Sequence, residues 1–93
     1  MEKHFVYILE CADGSYYVGS TNNVIQRVER HNVGEAASWT KNRCPVKFVY
    51  QEEHASLLSA RQREEQIKGW SQQKKENLIS GLWKKISKHS SSL

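Results

Sequence analysis

Residues 4–11, HFVYILEC, are apolar on both faces of any strand they form: Phe5, Tyr7 and Leu9 on one side, Val6 and Ile8 on the other. A strand covered on both faces belongs in the centre of a sheet, with further strands beside it and helices above and below. No single hairpin satisfies that requirement. Ala12-Asp13-Gly14 supplies a turn, and Ser15 to Gly19 is expected to return as the second strand. The turn length then decides which side chains meet. A two-residue loop pairs Glu10 with Tyr17 and puts Tyr7 and Tyr17 on opposite faces. A three-residue loop with Gly14 left-handed pairs Cys11 with Ser15, sets Leu9 against Tyr17 and Tyr7 against Gly19, and brings both phenols to one face. Glycine adopts that conformation without strain, so the three-residue loop is the expected one.

The stretch Ser20-Thr21-Asn22-Asn23 provides an N-cap for a helix over residues 23–33 with an apolar stripe of Val24, Ile25 and Val28. Arg27 and His31 follow one turn apart on the side bordering the sheet, and Gly34 ends the helix. Residues 34–45 read as a polar loop holding Trp39, Lys41 and Arg43. Lys47 to Glu52 is the third strand. A longer helix is expected from about residue 56 to Trp70 on a stripe of Leu57, Ala60, Ile67 and Trp70. Glu64 falls inside that stripe, where a carboxylate is costly unless it is paired or holds a cation. Ser71 caps a last helix to Ile79, Leu82 to Ile86 add a further helical turn, and residues 87–93 are expected to be a disordered tail after one domain over 1–86. The class is α+β: a three-stranded antiparallel sheet flanked by helices, in the order β-β-α-β-α-α.

Composition narrows the functional classes. The 93 residues have a mean hydropathy of −0.75, and no apolar run approaches the roughly 20 residues of a spanning helix. With acids directly after the first apolar run, nothing resembles a secretory leader, so the cytoplasm is the expected compartment and no membrane partner is expected. Cys11 and Cys44 lack metal-site or redox spacing and are expected to be reduced, without a disulfide-linked partner. The net charge of +4 is uneven: one base faces three acids over residues 1–22, five face four over 23–53, and eight face three over 54–93. That drift suits a polyanionic partner or, equally, a pair of solvated helices with lysine-rich outer faces.

Phe5-Val6-Tyr7, then Tyr17-Val18-Gly19, then Arg27, His31 and Glu64 at fitting intervals, resembles the GIY-YIG nuclease superfamily. The strings VYILECADGSYYVGSTNNVIQR and EEHASLLSARQREEQIKGW look like its small stand-alone bacterial members, over residues 4–80. The first motif is degenerate, Phe-Val standing for Gly-Ile. The resemblance implies metal-dependent hydrolysis of phosphodiester bonds, in DNA ahead of RNA, with weak sequence preference. It implies that Glu64 binds Mg²⁺ or Mn²⁺ and that Arg27 stabilises charge on the phosphate. Tyr7 and Tyr17 would orient or deprotonate the attacking water, and His31 would assist proton transfer. Asn77 matches an asparagine of some members. Arg30, Trp39, Lys41, Arg43 and Lys47 are the expected nucleic-acid contacts, Trp39 by stacking on an unpaired base. Two rival readings keep the fold: a binding module without turnover, and a protein adaptor using Trp70, Trp83 and the basic helices.

Overall fold

A computed structural model describes residues 3–81. Three strands, β1 (His4–Glu10), β2 (Tyr16–Thr21) and β3 (Lys47–His54), form an antiparallel sheet in the order β2-β1-β3, so the doubly apolar run is the central strand. Helix α1 (Val24–Asn32) and a short α2 (Ser38–Lys41) lie between β2 and β3 in the chain, and α3 (Leu57–Lys68) and α4 (Gln72–Ser80) follow β3.

The hairpin takes the three-residue loop. Gly14 has φ of +85°, the Cys11 amide donates to the Ser15 carbonyl at 2.8 Å, and the Gly14 amide donates to the Cys11 carbonyl at 2.9 Å. Leu9 therefore stands opposite Tyr17 and Tyr7 opposite Gly19. The sheet then separates two apolar layers. Val6, Ile8 and Val18 pack against Ala60, Ile67 and Leu78 of α3 and α4. Tyr7, Leu9 and Cys11 pack with Val46, Val24 and Val28 on the α1 side. Tyr7, Ile8 and Leu9 are wholly buried, each contributing roughly 1.5–3 kcal/mol by leaving water.

Several sequence expectations shift. β2 starts one residue later and runs on to Thr21, β3 continues to His54, and residues 38–41 are a helical turn where a loop was expected. Ile25 is 77 % exposed and Leu57 45 % exposed, so neither belongs to its helix's core stripe. At about 100° per residue, Val24, Val28 and His31 fall within one narrow arc and Ile25 lies well outside it. Leu57 occupies the first position of α3, whose buried face is carried by Ala60 and Ile67. Trp70 packs against the α3–α4 core between Arg63 and Lys74 and is not a free docking ring. The helical turn expected over Leu82–Ile86, Trp83 and the tail 87–93 lie outside the described residues. No described helix is long and apolar enough to cross a membrane, and Cys11 and Cys44 are both free thiols.

Candidate active site

Alternation along β1 and β2 aims Tyr7 and Tyr17 at the same face, their ring centroids 6.3 Å apart. Asn23 caps α1 by accepting the Gln26 amide at 3.1 Å. The far end of the helix is fixed by Asn32, whose side chain accepts the Val46 amide at 2.7 Å and donates to the Val46 carbonyl at 3.3 Å. Held at both ends, α1 drives His31 into the core. It is only 1 % exposed, its ring lies 4.9 Å from Tyr17 and 5.9 Å from Tyr7, and Nε2 meets the Tyr7 hydroxyl at 2.8 Å.

The other imidazole nitrogen identifies a residue that pattern reading missed. His31 Nδ1 is 2.8 Å from Thr40 Oγ1, and that hydroxyl is 3.0 Å from the Ala37 carbonyl. A carbonyl only accepts, so the Thr40 hydroxyl donates to it and receives the Nδ1–H of His31. Nε2 is then bare and accepts the Tyr7 proton. The chain of donors runs one way, from Tyr7 through His31 and Thr40 to the backbone of α2. Thr40 is wholly buried, and nothing in a polar tetrapeptide, SWTK, signals that role.

Burial, then the Arg27 guanidinium, lowers the His31 pKa to about 4. Burial, then the neighbouring Tyr17, pushes the Tyr7 phenol well above its ordinary range, and Arg27 works in the opposite direction. Tyr17 is also raised, first by burial. The imidazole is therefore neutral near pH 7 and able to accept a proton, while both phenols are protonated at rest. Between pH 6.5 and about 4 the unfolded chain binds a proton at His31 that the fold refuses, so stability falls as pH falls through that window, by roughly 3 kcal/mol in all. Urea midpoints from pH 7 to pH 4 are expected to show this loss above the carboxylate range. The ¹⁵N shifts of His31 should show a protonated Nδ1 and a bare Nε2 throughout pH 5–7. A charged imidazolium at pH 6 would contradict both.

Glu64 approaches from the opposite layer. Its Oε1 accepts the Ser20 hydroxyl at 2.6 Å and its Oε2 pairs with the Lys68 ammonium at 2.7 Å. The hydrogen bond to Glu64 raises the Lys68 pKa. β2 is an edge strand among the described residues, so the tyrosines on one face and Glu64 on the other lie on either side of the sheet's edge. Glu64 supplies one oxygen donor of the kind a hard divalent ion takes. Among the described residues no group of three or more His, Cys, Asp or Glu is gathered for a protein-only cage. Mg²⁺ commonly takes one or two protein oxygens and fills its shell with water and phosphate, so Glu64 could hold it by one oxygen if the Lys68 ammonium, now at 2.7 Å, gave way.

The remaining expected residues are less tightly assembled. Trp39, on α2, is 39 % exposed and 5.9 Å from the Tyr17 ring. Arg43 covers the indole at 4.1 Å, donates to the Trp39 carbonyl and pairs with Asp13 at 3.2 Å, tying α2 to the hairpin turn. Arg30, Lys41 and Lys47 are exposed, and among the described residues no hydrogen bond links them to the cluster. Asn77 sits on α4 with its side chain accepting from Gln73 at 3.1 Å, likewise without a bond to the cluster. Ser20 and Lys68 complete the Glu64 environment. Neither stood out in the sequence, because serine in a capping stretch and lysine near a helix end are ordinary.

The chain is similar to known proteins over most of its length. Residues 3–77 match the family described as the GIY-YIG catalytic domain. UPF0213 proteins of Staphylococcus aureus strains Mu3 and Mu50 are 49 % identical over 79 residues, spanning 85 % of this chain and 96 % of theirs. The solution NMR structure of a UPF0213 protein from Bacillus halodurans is similar with a TM-score of 0.54 and 41 % identity, over 84 % of this chain and 83 % of that one.

Proposed function

The chain belongs to the GIY-YIG family, and on that premise we propose that it is a divalent-metal-dependent nuclease that hydrolyses phosphodiester bonds, in DNA ahead of RNA and with weak sequence preference. The observation that carries this reading is the buried Tyr7–His31–Thr40 chain set beside Tyr17, Arg27 and Glu64. The imidazole nitrogen that accepts the Tyr7 hydrogen bond is also placed to take the phenol's proton.

Each residue has a task its chemistry suits. The Arg27 guanidinium keeps its charge at any working pH and grips phosphate oxygens as a fork, which favours the transition state. Tyr17 faces the cleft beside β2 and would orient the attacking water. Tyr7 is wholly buried at rest, so it would meet the water only after a local shift of the site. There its oxygen would accept the water's proton while its own proton passes to His31 Nε2. The imidazolium so formed would keep its Nδ1–H on Thr40 while the hydroxide attacks phosphorus and the P–O bond to the leaving sugar oxygen breaks. That oxygen would take a proton from solvent, and His31 would return its own to solvent. Glu64 would hold Mg²⁺ or Mn²⁺, which supplies charge neutralisation and acidifies water when bound. Among the basic residues, Arg30, Lys41 and Lys47 would take backbone phosphates.

The test is cleavage of labelled single-stranded, duplex, flap and branched DNA and RNA with Mg²⁺, Mn²⁺ or EDTA. Strand scission that requires the metal is the expected result. Salt-sensitive binding by folded protein that cuts none of these substrates would instead favour the binding module, a reading the degenerate Phe5-Val6 motif keeps open. No binding at all would favour the adaptor.

A further inference from the structure

A cleft of about 310 Å³ runs over the edge of β2, floored by Tyr16, Tyr17 and Val18 and walled by Trp39 on one side and by Lys68 and Lys75 on the other. Four elements, β2, α2, α3 and α4, build it, and its two walls differ in chemistry. One wall is aromatic. Trp39 lies 5.9 Å from Tyr17 at a tilt of 31°, and the rings form a continuous surface, not a slot. Arg43 packed over the indole and bonded to its carbonyl fixes that ring in advance. The opposite wall carries two ammonium groups, one of them already on Glu64 at 2.7 Å.

We propose that this cleft is a subsite for one unpaired nucleotide, its base against Trp39 and Tyr17 and its phosphate at Lys68 and Lys75. The proposal rests on the nuclease reading for its placement next to Glu64. An aromatic face beside ammonium groups is the combination that holds single strands, because every base has a π-face and every nucleotide a phosphate. The volume lies at the lower end of ligand pockets, roughly 300–1,000 Å³. It admits one nucleotide and is far too small for a base pair with both its backbones. Lys68 joins the subsite to Glu64, so the bound phosphate neighbours the one to be cut. The substrate class is therefore a strand that can present an unstacked nucleotide at the cut: a single strand, a flap or a frayed end.

Binding in EDTA, where no cleavage is expected, tests the subsite directly. The probes are a labelled thymidine oligonucleotide of about eight residues, a blunt hairpin of equal charge, and the same oligonucleotide with abasic sites. The thymidine strand is expected to bind roughly tenfold more tightly than either competitor. Trp39→Ala and Lys75→Glu should each remove most of that advantage, the lysine variant serving where α2 does not tolerate loss of the indole. Equal affinity for the hairpin, full affinity for the abasic strand, or a preference unchanged in folded Lys75→Glu protein would each overturn the subsite. The two readings fail separately. Single-strand preference without metal-dependent scission retains the subsite and rejects the nuclease, whereas equal cutting of single and double strands by wild type and variants does the reverse.

Discussion

Arg27→Ala and Glu64→Ala are each expected to lower metal-dependent cleavage by roughly a hundredfold or more, the usual cost of removing one group aimed at transition-state charge. Both variants should stay folded. Arg27 is half-buried on α1 beside Tyr7, and losing one such contact costs about 0.5–1.5 kcal/mol. Removing Glu64 frees the Ser20 hydroxyl and the Lys68 ammonium. The lysine side chain is 44 % exposed and turns to water at small cost, so a loss of about 1 kcal/mol is expected. Melting curves would thus separate loss of chemistry from loss of structure. Arg27→Lys refines the test, since an ammonium keeps the charge and loses the fork, and only partial recovery is expected. Cleavage surviving in folded protein of both alanine variants would reject this site, whatever the family of the chain.

The parts of this site that were legible in the sequence are those fixed by local geometry. Gly14 sets the loop length, the loop length sets the register, and a period of two carries Tyr7 and Tyr17 to one face. Glu64 announced itself as a carboxylate within an apolar stripe. His31 was placed beside the α1 stripe and proves to be part of it, because Ile25 turns away to an open groove with Phe48. What the sequence concealed depends on tertiary contact. A four-residue helix shows no periodicity, so Thr40 could not be told from any loop threonine. The cleft over β2 joins residues 16–18 to Trp39, Lys68 and Lys75, and no local pattern says that α2 and α4 flank the same strand edge. Arg43 read as a phosphate ligand; its bonds to Asp13 and Trp39 give it a structural post as well.

Gly19→Ala is expected to be the most damaging glycine-to-alanine change among the described residues. A Cβ at that position would stand 2.6 Å from the Tyr7 hydroxyl oxygen and 2.7 Å from the carbon that bears it. The ring has nowhere to go. Tyr7 is wholly buried among Leu9, Cys11 and Val46, and its hydroxyl is held by His31 at 2.8 Å. Either the phenol leaves His31 or β2 moves away from β1. Overpacking of this kind costs about 1–3 kcal/mol, and losing the buried hydrogen bond adds about 1–3 kcal/mol. A domain of this size loses roughly 4–8 °C of melting temperature per kcal/mol, so a fall of at least about 10 °C is expected. Cleavage should drop by roughly a hundredfold even well below that melting point, since a displacement of about 1 Å in an aligned site is enough. A double-mutant cycle assigns the cause. In a Tyr7→Ala background the added methyl meets empty space, and its cost should shrink to a few tenths of a kcal/mol. If the two substitutions were instead additive, the glycine would be needed for the strand's backbone and not for the phenol. Strong coupling would mean that the glycine of β2 lets Tyr7 reach His31, which links the register of the hairpin directly to the Tyr7–His31 hydrogen bond.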